Sequence, residues 1–244
     1  MAKNGKESKF ELIKTIVVAG AVALAFRSLM FEPFNIPSGS MRPTLLVGDY
    51  LFVSKFSYGY SRYSFPLALV PFNGRIFGAA PERGDVAVFR QPTDVDVAFI
   101  KRVIGLPGDR VQVMNGVLYI NDAPVQRELT GQATLSDGYN SINFKVYRET
   151  LPNGKSYTIQ ERSDNDSLDN TVVYTVPPDH YFMMGDNRDN SRDSRTSAVG
   201  MVPAQNLVGR ADRLFFSHNG KARLWEIWKW PFAIRYGRIG DGIT

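Results

Sequence analysis

Three stretches of this chain carry residues able to do chemistry. The first is Pro37-Ser38-Gly39-Ser40-Met41-Arg42-Pro43, in which two serines flank a glycine between two prolines. Such a segment makes a tight loop, and its glycine lets neighbouring N–H groups converge on a developing oxyanion. A serine hydroxyl is a weak nucleophile at neutral pH and needs a base. Both histidines sit in turn-like sequence, His180 in Pro177-Pro178-Asp179-His180 and His218 in Ser217-His218-Asn219-Gly220. A Ser-His-Asp triad is therefore possible only on paper, and a lysine is the other choice of base. Lysine titrates near 10.4 unless an apolar setting strips its ammonium of water. Lys101 stands in such a setting: Ala98-Phe99-Ile100-Lys101-Arg102-Val103-Ile104 reads as a strand with Phe99, Lys101 and Val103 on one face. The same pattern also fits an edge strand guarded by Lys and Arg.

The third stretch is Gly185-Asp186-Asn187-Arg188-Asp189-Asn190-Ser191-Arg192-Asp193-Ser194-Arg195. Asp186, Asp189 and Asp193 suggest a metal, but Arg188, Arg192 and Arg195 balance them one for one. An arginine–carboxylate network that stiffens a loop and presents Ser191 to a neighbouring site is the better reading. Asp164-Asn165-Asp166-Ser167-Leu168-Asp169 resembles a calcium loop only superficially, because Leu168 replaces an oxygen ligand and no glycine follows. Arg83-Gly84-Asp85 reads as a turn opening a strand.

The elements that must position these residues fall into two kinds. Leu12 to Phe31 is apolar apart from Lys14 and Arg27 near its ends, and Ile16 to Phe26 is uncharged throughout. Twenty helical residues span roughly 30 Å, the thickness of a bilayer core. Lys3, Lys6 and Lys9 precede it, so the N-terminus is expected inside and everything after Phe31 outside. A cleavable signal segment ending at Ala23-Leu24-Ala25 is the competing reading. A retained anchor is preferred, with the helix running through that tripeptide.

Beyond Phe31 the chain is built of short runs rich in Val, Ile, Tyr and Phe, and 21 Gly and 14 Pro supply the turns. Runs at 50–53, 85–89, 99–104, 117–120, 157–159, 172–176 and 181–184 predict strands. The expected fold is mainly β, one transmembrane helix followed by an antiparallel β catalytic domain. The expected divisions are 1–11, a cytoplasmic stub; 12–31, the anchor; 32–120, the first part of the β core; 121–179, a more polar inserted β subdomain; and 180–244, the second part of the core. In the tail, Leu224 to Phe232 gathers all three Trp, with Arg223, Lys229 and Arg235 beside them. It suits either a membrane–water interface or a terminal strand burying its aromatics.

Composition excludes several classes. The 244 residues are 43% hydrophobic and 22% charged, which fits a folded chain rather than a disordered one. There is no cysteine, so disulfides, thiolate metal sites and a thiol nucleophile are excluded. The net charge of +5 comes from scattered basic residues, and no nucleic-acid partner is expected. No metal or cofactor is expected either, nor any assembly beyond a monomer.

In order and spacing, four segments resemble the boxes of the bacterial type I signal peptidases: Pro37 to Leu45, Arg83 to Phe89, Lys101 to Asp109, and Gly185 to Arg195. Arg27, Glu32-Pro33-Phe34 and Ile36 fit as well, and the likeness weakens across the inserted region and the tail. The resemblance implies that Ser40 is a nucleophile and Lys101 its general base. It implies that Ser38 joins the Ser40 N–H in an oxyanion hole, that Ser191 holds the lysine amine, and that Asp193 with Arg195 braces the arrangement. It further implies a single-pass protein of the inner membrane, facing the periplasm beside lipid, that cuts signal peptides from preproteins after small residues at −3 and −1. Two alternatives stand beside it: another Ser–Lys self-processing protease, and a membrane-tethered β domain that binds exported chains without cutting them.

Overall fold

The computed structural model describes residues 4–65, 72–136, 141–222 and 225–244. Of the residues singled out above, Lys3, Asp137, Gly138, Arg223 and Leu224 lie outside them. Helix α1 (Asn4–Leu29) contains the apolar stretch, and its segment Lys9–Leu29 is long and apolar enough to cross a membrane, with almost none of it packed against the rest of the chain. Ala23-Leu24-Ala25 lies inside this helix. The expected anchor is corrected at its far end. The helix stops at Leu29, and Phe31 opens a strand, because Pro33 lacks an amide hydrogen to continue helical bonding.

Fourteen strands follow among the described residues, β1 (Phe31–Asn35), β2 (Asp49–Ser54), β3 (Val86–Gln91), β4 (Asp94–Gly105), β5 (Arg110–Met114), β6 (Val117–Ile120), β7 (Ala123–Pro124), β8 (Gln126–Ser136), β9 (Ser141–Thr150), β10 (Ser156–Glu161), β11 (Tyr174–Thr175), β12 (His180–Met184), β13 (Val202–Pro203) and β14 (Leu207–Ser217). A seven-stranded sheet runs β1-β2-β14-β3-β4-β12-β13, and all its pairings are antiparallel. The excursion between β4 and β12 forms two smaller sheets, β11-β5-β6-β7 and β10-β9-β8. It leaves the main sheet by Arg110, ahead of the expected 121.

Apolar alternation explains how the main sheet is held. Along β3, Val86 and Val88 enter a cluster with Ile36, Met41, Leu45 and Leu51, while Ala87 and Phe89 enter another with Tyr58, Val103 and Met183. Both faces are covered, so β3 is buried almost throughout. A third cluster, centred on Ile104, Leu118, Ile159 and Phe182, joins the smaller sheets to the main one. Fully burying a side chain of this size stabilises by about 1.5–3 kcal/mol.

The tail is neither strand nor core. Ile227–Lys229 forms a single 3-10 turn that leads into the four-residue helix α2 (Trp230–Ala233), and Trp225, Trp228 and Phe232 are exposed. The terminal-strand reading is thereby overturned, since Pro231 suits the first turn of a helix rather than a ladder.

Candidate active site

Ser40 lies one short loop beyond the β1–β2 ladder. Ile36 extends that ladder by donating to Asp49 O, while Gly48 donates back to Ile36 O. Ile36 and Met41 are both buried, so the intervening Pro37-Ser38-Gly39-Ser40 is clamped at each end by the core. The carbonyls of this loop are also held: Asn187 N donates to Ser40 O at 3.1 Å, and Asn187 Nδ2 donates to Gly39 O at 3.0 Å.

Lys101 sits within β4 and pairs with Ala87 of β3, while β12 pairs with β4 from Arg102 onward. It is thus paired on one side only, yet it is buried rather than a solvated edge lysine. Its side chain is 2% exposed, and Nζ lies 5.3 Å from the centre of the Phe99 ring. Nζ donates to Ser40 Oγ at 2.7 Å and to Ile100 O at 2.8 Å. Burial pushes its ammonium down to about 8; the Asp193 and Asp186 carboxylates oppose this and the Arg192 charge adds to it. Sixty-one residues of sequence thus separate two side chains in direct contact.

Ser38 stands beside them, its Oγ 3.4 Å from Ser40 Oγ. The Ser40 amide donates to no acceptor among the described residues, so it is free to serve a ligand with Ser38. Ser191 is brought to the same place, but not in the expected way. A Cβ on Gly185 would lie 2.2 Å from Ser191 Oγ and 2.5 Å from Ser40 O, so Ser191 packs against the nucleophile loop across a bare glycine. Its Oγ is buried and makes no hydrogen bond to Lys101; it lies near enough to the Asp193 carboxylate to help hold that group ionised. The expectation that Ser191 holds the amine is corrected here: Ser40 Oγ and Ile100 O do so.

Asp193 and Arg195 form the buried brace. Arg195 donates from Nε and Nη2 to the two Asp193 oxygens at 3.0 and 2.9 Å, and Gly185 N donates to Asp193 Oδ2 at 3.0 Å. Arg195 and these hydrogen bonds hold the Asp193 carboxyl below its usual range, outweighing the burial that raises it. The remaining charges of this segment do not balance one another locally. Asp186 is bound by Arg102 through Nε at 2.8 Å and Nη2 at 2.7 Å, and Thr44 Oγ1 adds a bond of 2.6 Å. Arg188 pairs with Glu149 of β9. Asp189 takes backbone N–H bonds from Arg162 and Ser163. Sequence reasoning gave no role to Asn187, Thr44 or Arg102. Their polar character in a strand-rich chain was the signal, but their partners come from distant segments.

A cleft of about 310 Å³ opens onto Ser38, Ser40 and Lys101, between Phe34–Ser40 on one side and Val97–Lys101 on the other. Ile36, Val88, Phe99 and Ile100 give it an apolar lining, to which Asn190 and Arg192 add polar groups. The β4 edge from Val97 to Lys101 that faces this cleft has no strand partner among the described residues.

Comparison with known proteins adds a separate observation. The family described as "Signal peptidase, peptidase S26" matches residues 9–216. Signal peptidase I of Rickettsia typhi (strain ATCC VR-144 / Wilmington) is 46% identical over 224 residues, 88% of this chain and 83% of the relative. That of Rickettsia akari (strain Hartford) is 47% identical over 204 residues, 80% of this chain and 75% of the relative. A solved signal peptidase I from Enterococcus faecalis V583 superposes with a TM-score of 0.32 at 25% identity, over 54% of this chain and 97% of its own.

Proposed function

The chain belongs to the signal peptidase family, peptidase S26, a serine endopeptidase that removes signal peptides, and on that premise we propose that Ser40 and Lys101 form its catalytic dyad. The observation that carries this is the 2.7 Å bond between a buried lysine amine and the Ser40 hydroxyl. In its neutral form Lys101 accepts the Ser40 proton as Oγ attacks the scissile carbonyl, and an ester and a protonated amine result. The negative charge on the tetrahedral oxygen is met by the Ser38 hydroxyl and the Ser40 N–H. Lys101 gives its proton to the departing amine and then takes one from the water that hydrolyses the ester.

The substrate enters extended, as an added strand along the open edge of β4, which supplies backbone partners from Val97 to Lys101. The shallow apolar lining around Ile36 and Phe99 favours small side chains at −3 and −1. Helix α1 anchors the chain in the membrane with the lysine-rich N-terminus inside, so that Ser40, eleven residues beyond Leu29, works near the outer surface. The protein acts as a monomer beside lipid. The test is cleavage of a preprotein bearing an Ala-x-Ala site, in detergent, by wild type and Ser40→Ala in parallel, with mass spectrometry of the products. Cleavage after the second Ala by wild type alone supports the dyad, whereas activity in Ser40→Ala removes Ser40 as the nucleophile. Binding without cleavage by either protein favours a tethered binding domain.

A further inference from the structure

Away from the catalytic cleft, three carboxylates meet where the end of β10, the 163–169 loop and the turn after β12 come together. One oxygen from each of Glu161, Asp169 and Asp189 lies within 4.8 Å of the other two. Glu161 and Asp169 are buried, and Asp189 is half-buried. The nearby arginines are committed to other carboxylates, Arg188 to Glu149, Arg195 to Asp193 and Arg102 to Asp186; Arg188 Nε and Arg195 Nη1 are buried without a partner, and neither forms an ion pair with the cluster. Arg127 pairs with Glu161 and with Asp164, which also takes Lys145. Asp169 and Asp189 have no ion-pair partner among the described residues, so two negative charges are left over.

The orphaned oxygens are a second observation. Asp169 is fully buried; its Oδ2 accepts from Asp166 N, while Oδ1 is out of contact with solvent and meets no donor. Asp189 repeats the pattern, with Oδ2 taken by the Arg162 and Ser163 amides and Oδ1 buried and unpartnered. Each acid is thus fixed through one oxygen and leaves the other desolvated, an unfavourable arrangement for a charge without a counter-ion.

We propose that Glu161, Asp169 and Asp189 bind a divalent cation of the calcium class, which clamps the turn leading to Ser191 onto the β8–β10 sheet. An all-carboxylate set is a hard donor set, suited to calcium or magnesium rather than zinc. Calcium accepts irregular sets of oxygens at about 2.3–2.6 Å, whereas magnesium demands near-octahedral geometry at about 2.1 Å and keeps its waters, so carboxylates gathered from three separate segments suit calcium better. Two uncompensated negative charges match a divalent ion. The Asp164–Asp169 run, set aside as a calcium loop on its spacing, contributes only Asp169; the other ligands come from β10 and from the turn that carries Ser191. Asp189 stands two residues before Ser191, so the ion fixes this turn independently of the Arg102–Asp186 pair.

The test uses the full-length protein in detergent, stripped with EDTA, desalted and melted with no added metal, with 1 mM CaCl2 or with 1 mM MgCl2. Calcium is expected to raise the midpoint by about 3 °C, as for a site at roughly tenfold over its dissociation constant, and magnesium by less. Asp169→Asn should abolish the shift, and the exposed Asp94→Asn should keep it. If Asp169→Asn does not fold, Asp189→Asn takes its place. No shift in wild type at 1 mM calcium, or an undiminished shift in the site variant, overturns the proposal. The melt needs no proteolysis, so its outcome is separate from that of the cleavage assay.

Discussion

Lys101 is held 2.7 Å from Ser40 Oγ by a strand that buries it, and burial brings its ammonium down to about 8 from the ordinary 10.5. The protonated amine cannot accept the Ser40 proton. Below about pH 8, kcat/KM should therefore fall about tenfold per unit as pH drops, and above it should level off. Arg192 lowers the lysine through its charge, so Arg192→Gln should move this limb to higher pH; an unmoved limb would dissociate Arg192 from the lysine. Stability should show the same group with the sign worked through. Between about 8 and 10.5 the unfolded chain holds a proton on Lys101 that the folded chain has lost, so stability rises with pH across that window. Below it the buried charge costs on the order of 3 kcal/mol. Lys101→Met removes both the charge and the base. Turnover should fall at least about 10³-fold while the melting midpoint at pH 7 rises, and a lower midpoint would show that the amine is not a burden to the fold. Ser38→Ala should cost on the order of 10²–10³ in rate, the usual loss of one oxyanion donor; a change below about threefold would dismiss that role.

The turn between β12 and the Asp193–Arg195 brace aligns the nucleophile loop through close packing as well as hydrogen bonds. Gly185 lies against both Ser191 and the Ser40 carbonyl, with no room for a side chain. Gly185→Ala is expected to push the two apart. Overpacking of this kind costs about 1–3 kcal/mol, and a displaced nucleophile about 10²-fold in rate. Gly131→Ala in β8, where an added Cβ meets nothing within 4 Å, is the control and should leave both activity and melting unchanged. Equal behaviour of the two variants in a cleavage assay and a melt would remove the turn from the positioning of Ser40. Asn187 and the Arg102–Asp186–Thr44 bonds serve the same element from its other contacts, which is why one segment of eleven residues carries so many buried polar groups.

At the scale of the molecule, the helix and the sheet are joined by a short chain of charges. Arg27 near the end of α1 pairs with Glu32 of β1 at 2.7 Å, and Glu32 pairs with the buried Lys55 just after β2, also at 2.7 Å. Tyr60 Oη donates to Leu29 O, and Lys55 N donates to Met30 O, so the exit of the helix is tied to the strands that lead to Ser40. This coupling sets the height of the dyad above the end of α1. It also bears on Ala23-Leu24-Ala25, which has the composition of a cleavage site yet lies inside the helix with its amides bonded. A protease needs extended chain, so the protein should survive its own activity. Intact-mass measurement on membrane-purified material should return the full 27.3 kDa chain, and a species beginning at Phe26 would refute this.

What the amino-acid order determined by itself is local. The apolar helix, the Gly-Pro punctuation, the strand around Lys101 and the tight loop around Ser40 are properties of neighbouring residues, and the runs at 50–53, 117–120 and 181–184 mark β2, β6 and β12 closely. The strands that escaped are those whose signal is not local. β14 lies in the middle of the main sheet, but bulges at Ala211/Arg213 and Leu214/Phe216 break its alternation of two. β8 and β9 carry apolar residues on both faces, with Phe144 and Tyr147 buried but Leu129, Leu135 and Ile142 exposed, so their alternation is weak in the sequence. Charge pairing escaped for a related reason. Asp186 and Arg188 stand two apart, yet they answer to Arg102 and Glu149, which only the folding of β4 and β9 brings near. Propensity and pattern act over a few residues. The partner of a buried charge, and the cleft between β1 and β4, depend on which strands become neighbours, and only the tertiary structure decides that.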